Sequence, residues 1–556
     1  LNAAIIRGIR ARAVLAAFAL AAGVYVAVAT LVMMITCWDP LPFGDQWSEI
    51  ITGRPVTWSW LYSQHMEHRI LVPRLVFLAD RYLAAETNVL DYAVNFAIPA
   101  GLAWLLFRVS RGACVPSRAW AAGVCASLLL WAGQYQNFVW GFQVQFFGVV
   151  LAAAASFAVL ALARDGAWTL AYVVLLEFVS AYTLASGVLV GFLSVALAVA
   201  LGKPRRVIAS LALAAFVILA SYLFHYERPP ESSDPLGAVS HPGGVALYAL
   251  VALGAPVGNL ALLHAPLGLG FAISACAGLA GVYGFLRVAW AIWRARGPVQ
   301  PHQGVLMTVA AFVLSMLLIT ATGRYVKGLE SALVPRYATP AVTFWCCLVL
   351  VLAARSAVSG VLGAAAMAPA CLLVLLMAIT ESGNVAIARD WVSARRAAAP
   401  AFLADVADLA LLRRIYAVEA DETLAHSAAG RWEGKLRQAH SSVFAQGWAG
   451  WLGTALSAHV AGMDGRWCDG AVDGVVRVQD SPVPGWRITG HAWDRASGAA
   501  VRRLVVTDAG GVVVGYGVGG VGGDWTGDFS GVGVVSVFAL EGAEAACRVG
   551  GKHVLF

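Results

Sequence analysis

The chain has 556 residues, 60% of them hydrophobic and only 12% charged, with a mean hydropathy of +0.74. Soluble globular domains carry about 25% charge, so this composition excludes a soluble fold and implies a polytopic membrane protein. The net charge of +7 would suit a nucleic-acid partner, but the basic residues fall in short loops between apolar runs. That distribution reflects membrane topology, and no nucleic acid is expected.

The first apolar run, 13–37, follows Arg7, Arg10 and Arg12. It exceeds the 7–15 apolar residues or so of a signal peptide and leads into a polar loop without an A-x-A site. It therefore reads as a retained signal anchor with a cytoplasmic N-terminus. A membrane span needs about 20 apolar residues. Ten more candidates follow, at 90–107, 119–133, 144–163, 167–184, 187–202, 207–224, 267–292, 304–322, 338–354 and 357–380, which makes eleven in all. Their cytoplasmic connections carry Arg108, Arg111, Arg118, Arg164, Lys203, Arg205, Arg206, Arg287, Arg294, Arg296 and Arg355, with Asp165 the one acid among them. This asymmetry obeys the positive-inside rule. The apolar stretch 241–264, rich in Gly and Pro, must return to the outer side to keep the pattern, so it reads as interfacial or re-entrant.

Every unusual polar cluster then falls on the outer, periplasmic side of a bacterial inner membrane: 38–89, 133–145, 225–235, 323–337 and the chain beyond 381. Residues 394–445 have helical composition. From about 465 the pattern changes to alternating apolar residues with Gly-rich turns (GVVRVQ, GWRITGHAWD, GVVSVFAL), the signature of a small antiparallel β-domain. Three regions result. Residues 1–381 form a mainly α transmembrane domain, 382–464 a periplasmic helical linker, and 465–556 a domain resembling a β-sandwich or jelly roll. Cys468 and Cys547 bracket the β-domain and are either a disulfide or two buried thiols. Trp486, Trp493 and Trp525 are either core residues of that domain or glycan contacts.

Four stretches carry candidate chemistry. In FGDQW, Asp45 lies just beyond the first span between Phe43 and Trp47. A carboxylate there can accept a proton from an acceptor hydroxyl, or it is an ordinary loop acid. HMEHR sets His65, Glu67, His68 and Arg69 within five residues, in an order that does not match the HExxH zinc motif. It offers anion binding, with Arg69 and Arg74 the candidate donors, or a charge-paired helix start. GRYVKGLESALVPRY places Arg324, Lys327 and Arg336 on one outer loop. Guanidinium groups there match phosphate oxygens, although snorkelling gives the same pattern. QYQNFVWGFQVQ interleaves Gln134, Gln136, Asn137, Gln143 and Gln145 with Tyr135, Trp140 and Phe142. Amides beside aromatic faces suit a sugar ring. An interfacial aromatic belt explains the rings but not five amides.

An acid after the first helix (GDQW), a basic outer loop (HMEHR), many spans and an Arg336–Tyr337 pair (VPRY) opening a late one together resemble the GT-C class of integral-membrane glycosyltransferases. The resemblance covers roughly 10–380 in layout. It implies transfer of a sugar from a polyprenyl-phosphate donor to an envelope glycan, lipid or protein acceptor, with inversion. Asp45 would act as general base and Glu67 or His68 would tune it or orient the acceptor. Arg69, Arg324, Lys327, Arg336 and Tyr337 would hold the lipid phosphate. Trp47, Gln136, Asn137, Trp140 and Gln143 would contact the substrate. The class often carries paired acids where this chain has Asp45–Gln46, so a metal-independent reaction without cofactor is expected. A flippase for lipid-linked saccharides and an envelope glycan ligase or acyltransferase are the alternatives. A flippase calls for polar or broken helices at the midplane, where Glu177 and Ser186–Gly187 are the conspicuous features.

Overall fold

In the computed structural model α1 (Ala3–Thr36) is an unbroken apolar helix of 34 residues. After it come a short helix α2 (Trp58–Tyr62), a two-stranded hairpin of β1 (Gln64–His65) and β2 (His68–Arg69), then α3 (Leu71–Ala84) and α4 (Val89–Gly112). The chain continues through α5 (Arg118–Leu129), the single turn α6 (Tyr135–Phe138), α7 (Val144–Leu162), α8 (Ala167–Ala181), α9 (Leu189–Ala200) and α10 (Arg205–Leu223). A short α11 (Pro235–Ser240) leads into α12 (Pro242–His264), α13 (Leu267–Arg294), α14 (Pro301–Arg324), α15 (Ala338–Arg355), α16 (Val361–Arg396) and α17 (Ala399–Ala404). The described residues are 3–550 except 51, 53, 114, 229–234, 296, 357–360, 407–410, 412–433, 461–465, 480–483, 496 and 542–543. Much of the helical stretch expected at 394–445, the middle of the polar cluster 225–235 and the start of the expected span 357–380 lie outside them.

Among the described residues nine helices are long and apolar enough to cross a membrane: Gly8–Thr36, Val89–Gly112, Gly141–Leu162, Arg205–Leu223, Pro242–His264, Leu267–Arg294, Pro301–Lys327, Pro335–Arg355 and Ala364–Ala404. Two further apolar helices, Ala167–Ala181 and Ala185–Ala200, are shorter. The expected span 119–133 divides into α5 and a broken stretch that holds α6. Conversely, 242–264 is a continuous helix of spanning length. Its contacts run to segments that the charge pattern assigns to one side: His241 meets Tyr325, the Tyr248 hydroxyl lies 3.3 Å from that of Ser331, and Asn259 accepts from Asn384. Close approach to α13 explains the glycines of α12. A Cβ on Gly254 would sit 1.8 Å from the Ser274 carbonyl oxygen, and one on Gly258 would sit 2.1 Å from Ser274 Oγ. Small residues of this kind let apolar helices meet backbone to backbone.

The chain divides into two compact units. The first comprises Leu1–Ile35, Val56–Val76 and Asp91–Ala386, and the second Thr36–Pro55, Phe77–Leu90 and Ile387–Phe556. The core of the first is formed by buried residues of α1, α4, α5, α7, α12, α14, α15 and α16, including Trp120, Phe157, Phe312 and Phe344. Through it, α16 continues into the second unit. Its 36 residues measure about 54 Å at 1.5 Å per residue, well over the roughly 30 Å of a bilayer core.

In the second unit, Trp47, Ile50, Phe402, Leu403, Phe444 and Trp448 form one apolar cluster with Val505 and Tyr516 of the C-terminal domain. That domain is a closed barrel of seven strands, β3 (Trp467–Val478), β4 (Gly485–Trp493), β5 (Arg503–Thr507), β6 (Val513–Gly519), β7 (Asp524–Ser530), β8 (Ser536–Glu541) and β9 (Glu544–Gly550), in the order β3-β4-β7-β6-β5-β8-β9. Six of the pairings are antiparallel. The seventh, β3 with β9, is parallel and closes the ring, so the domain is one sheet curled on itself where two stacked sheets were expected. The Cys468–Cys547 disulfide joins these two closing strands. Inside, Trp525 is buried over Gly490, while Trp486 and Trp493 are half-buried. The fully buried Asp528 accepts a bidentate pair from Arg487 at 3.0–3.1 Å.

Candidate functional site

The first unit collects most of the candidate residues. The β1–β2 hairpin reverses in two residues, and Met66 at its tip takes a positive φ of 49°, as tight hairpin turns require. Arg69 anchors the hairpin to α10. Its Nε donates to the Tyr222 carbonyl at 2.7 Å, Nη1 to Tyr62 at 2.8 Å and Nη2 to Phe224, and the guanidinium lies 4.3 Å from the centre of the Tyr62 ring. Buried and engaged with three carbonyls, Arg69 is a clamp between segments. Arg74 is buried likewise and caps α2 through the carbonyls of Trp60 and Ser63, at 2.8 and 2.6 Å. The Tyr222 hydroxyl in turn donates to the Glu67 carbonyl at 3.1 Å.

At the hairpin's functional end, burial pushes the His68 imidazole down to about 4. Glu67 pulls it back up, while His65 and Arg324 add to the depression. His68 is therefore neutral at physiological pH, with a ring nitrogen able to take a proton. Stacking of His65 on Phe142, 5.1 Å between ring centres, joins the hairpin to the amide-rich segment. That segment is broken into short helical turns at 132–134, 135–138 and 141–143. Tyr92 and Asn95 of α4 hold it from one side, donating to the carbonyls of Val139 and Trp140. On the other side it binds the VPRY stretch. Asn137 Nδ2 donates to the Arg336 carbonyl at 2.9 Å and to Thr339 Oγ1 at 2.8 Å, and Thr339 donates to Gln134 Oε1 at 2.7 Å. The Arg336 guanidinium lies over the Tyr337 ring. Side-chain oxygens of Asn95, Gln136, Asn137, Gln143 and Gln145 are buried and meet no donor among the described residues. Such acceptors match hydroxyl-rich ligands. Beside them a pocket of about 310 Å³ is lined by Trp131, Gly133, Pro256, Asn259, Val334 and Tyr337, among others.

Asp45 belongs to the second unit. It is exposed in a short 3-10 turn, Gly44–Glu49, closed by Gln46 Oε1 on the Phe43 amide and by Gln46 Nε2 on Asn88 Oδ1. Its neighbour Trp47 is buried against Phe402 and belongs to the core. The structure thus brings together Glu67, His68, Arg324, Gln136, Asn137, Trp140, Gln143, Arg336 and Tyr337 within one unit, with the exposed Lys327 following Arg324, and assigns Asp45 and Trp47 to the other.

No family model, curated protein or solved structure matches the chain.

Two acids escaped the sequence reading as candidates. Asp39, six residues before Asp45, is buried 3.8 Å from Arg395, whose guanidinium lies over Phe43 and Trp391. Burial raises the Asp39 carboxyl above its usual range, against the pull of Arg395 and Arg396. Glu381, on α16, is fully buried. It accepts from Thr30 of α1 at 2.8 Å and from the Ala132 amide at 3.0 Å, where the broken segment begins. Next to it, Thr380 accepts from Trp131 Nε1 at 3.1 Å. Both acids end an apolar run, a position that reads as loop unless the helix is known to continue.

Proposed function

We propose that the protein is a membrane glycosyltransferase of GT-C type, moving a sugar from a polyprenyl-phosphate donor to an envelope glycan, lipid or protein acceptor. One observation carries this reading. A neutral imidazole and a carboxylate (His68, Glu67), cationic groups (Arg324, Arg336) and a broken, amide-rich aromatic segment are interlocked in one apolar unit. A phosphate monoester leaving group needs fixed cations where its charge develops, and Arg324, Lys327 and Arg336 fill that role. Arg69, occupied by carbonyls, supports the site from behind. The buried amide oxygens around Asn137 and Gln143 receive sugar hydroxyls, and Tyr337 flanks the lipid-phosphate end. Asp45 acts as general base on the acceptor, and His68 and Glu67 orient it. The reaction uses no cofactor, and a metal is not favoured.

The proposed topology has eleven crossings in a bacterial inner membrane, with the N-terminus cytoplasmic and the barrel periplasmic. Residues 118–138 cross as α5 and its broken extension, α8 and α9 form two short crossings, and α12 lies along the outer surface. This arrangement keeps the Arg-rich loops inside.

The test is release of lipid phosphate by purified protein in nanodiscs, using a panel of polyprenyl-phospho-sugars with envelope glycolipid extract as acceptor. Acceptor-dependent release in wild type, lost in Asp45→Asn, supports transfer with Asp45 at its centre. Equal release from both removes Asp45 from the mechanism. Movement of the same lipids between leaflets without release would favour the flippase alternative.

A further inference from the structure

Helix α3 is built inside out for a helix in water. On a helical projection Val72, Leu75, Leu78, Ala79, Tyr82 and Leu83 share one half of its surface, which carries no charge. The outermost of these are open: Leu75 is 49% exposed, Tyr82 73% and Leu83 80%. The charged residues occupy the opposite half and are engaged by protein. Arg74 donates to carbonyls of α2 and the residue after it. Asp80 is buried and accepts from the amides of Asn88 and Leu90 at 2.9 and 2.8 Å. Arg81 reaches Glu86 at 4.0 Å. A contiguous apolar face of this kind marks an interaction site on a water-exposed surface.

The occupant follows from length and connection. Fourteen residues extend about 21 Å at 1.5 Å per residue, short of the roughly 30 Å needed to cross. Four residues beyond α3 the apolar helix Val89–Gly112 begins, and Val89 itself is 50% exposed. That link tethers the C-terminal end of α3 to the membrane surface, and a tyrosine at that end suits the headgroup level. We infer that α3 is an in-plane membrane helix, its Leu75–Tyr82–Leu83 face seated in the boundary between lipid headgroups and acyl chains. The inference rests on the chain being membrane-embedded and is independent of the proposed reaction.

The full-length protein in nanodiscs tests it. The exposed free thiol Cys276 is replaced by serine, and Leu75→Cys, Leu83→Cys and Ser497→Cys variants are labelled separately with bimane. Ser497, exposed in the barrel, serves as the aqueous reference. Labels at 75 and 83 should lose at least half their emission when the lipids are brominated in the acyl chains, and should resist aqueous iodide severalfold better than the label at 497. Iodide quenching at 83 equal to that at 497, with no response to bromine, overturns the inference. So does bromine quenching at one α3 position alone, because an in-plane helix holds both at the same depth. Both positions are exposed, so labelling leaves the fold intact, and near-equal circular dichroism of all variants checks this.

Discussion

Replacing Glu381 discriminates between a buried hydrogen-bonding latch and a required charge. In Glu381→Ala the Ala132 amide loses its acceptor while remaining buried. An orphaned buried donor costs about 1–3 kcal/mol. Thr30 keeps the Leu130 carbonyl at 2.6 Å, so its hydroxyl adds little. The emptied space adds about 1–2 kcal/mol more, by comparison with truncations of buried side chains. The expected loss is therefore about 2–5 kcal/mol. In Glu381→Gln the amide oxygen still accepts from Ala132 and the NH2 group can donate to Thr30, so the change should stay within about 1 kcal/mol. Mixed-micelle unfolding followed by circular dichroism measures both. If Gln costs as much as Ala, the negative charge itself is needed and the latch reasoning fails. If Ala costs less than about 0.5 kcal/mol, the amide finds another acceptor and the start of the broken segment is not fixed by Glu381.

Three other expectations follow from the same coordinates. The double Cys468→Ser, Cys547→Ser variant opens a cross-link spanning 79 residues. The chain-entropy relation puts its contribution at about 4.5 kcal/mol, so the barrel's urea midpoint, read from tryptophan emission, should fall sharply. A loss below about 1 kcal/mol would mean that strand pairing alone closes the ring. With His68 held at about 4 by burial against about 6.5 when unfolded, its contribution is intact above pH 6.5 and is lost as pH falls from 6.5 toward 4. The ceiling is about 3 kcal/mol before solvent screening. His68→Gln should flatten that acid limb of the stability profile, and an unchanged limb refutes the assignment. Gly254→Leu drives a side chain into the Ser274 carbonyl of α13, so it should lower the unfolding temperature in detergent by several degrees or abolish folding, whereas Gly243→Leu, with open space around it, should do neither.

Long helices such as α1, α7 and α14 were legible because a span leaves a run of apolar residues regardless of its partners. The β-domain was legible as strands for a similar reason, since alternation marks one buried face. Closure was not legible. A sandwich and a barrel share the same alternation, and the β3–β9 pairing joins segments about 80 residues apart. The amide segment stood out through composition, yet its role in binding Arg336 and Thr339 depends on residues some 200 positions away. Arg69 looked like an anion binder because its three acceptors are carbonyls of Tyr62, Tyr222 and Phe224, and main-chain oxygens leave no trace in side-chain identity. Asp45 drew the eye by its aromatic neighbours, while Asp39, the buried acid of that loop, is distinguished by Arg395, which α16 supplies more than 350 residues later.

The parallel pairing of the barrel's first strand with its last sets the order in which the domain can mature. Until β9 exists, β3 has an unsatisfied edge and Cys468 lacks its partner. Pairings this distant in sequence form slowly, and an unpaired edge is a template for mispairing with other chains. The glycines of β3 and β4 and the charges on their outer faces, Asp469, Asp473 and Arg477, blunt that edge while it waits. Oxidation of the pair is then a seal applied after the ring has found its register, and thiol accessibility at Cys468 during synthesis would report how far assembly has progressed.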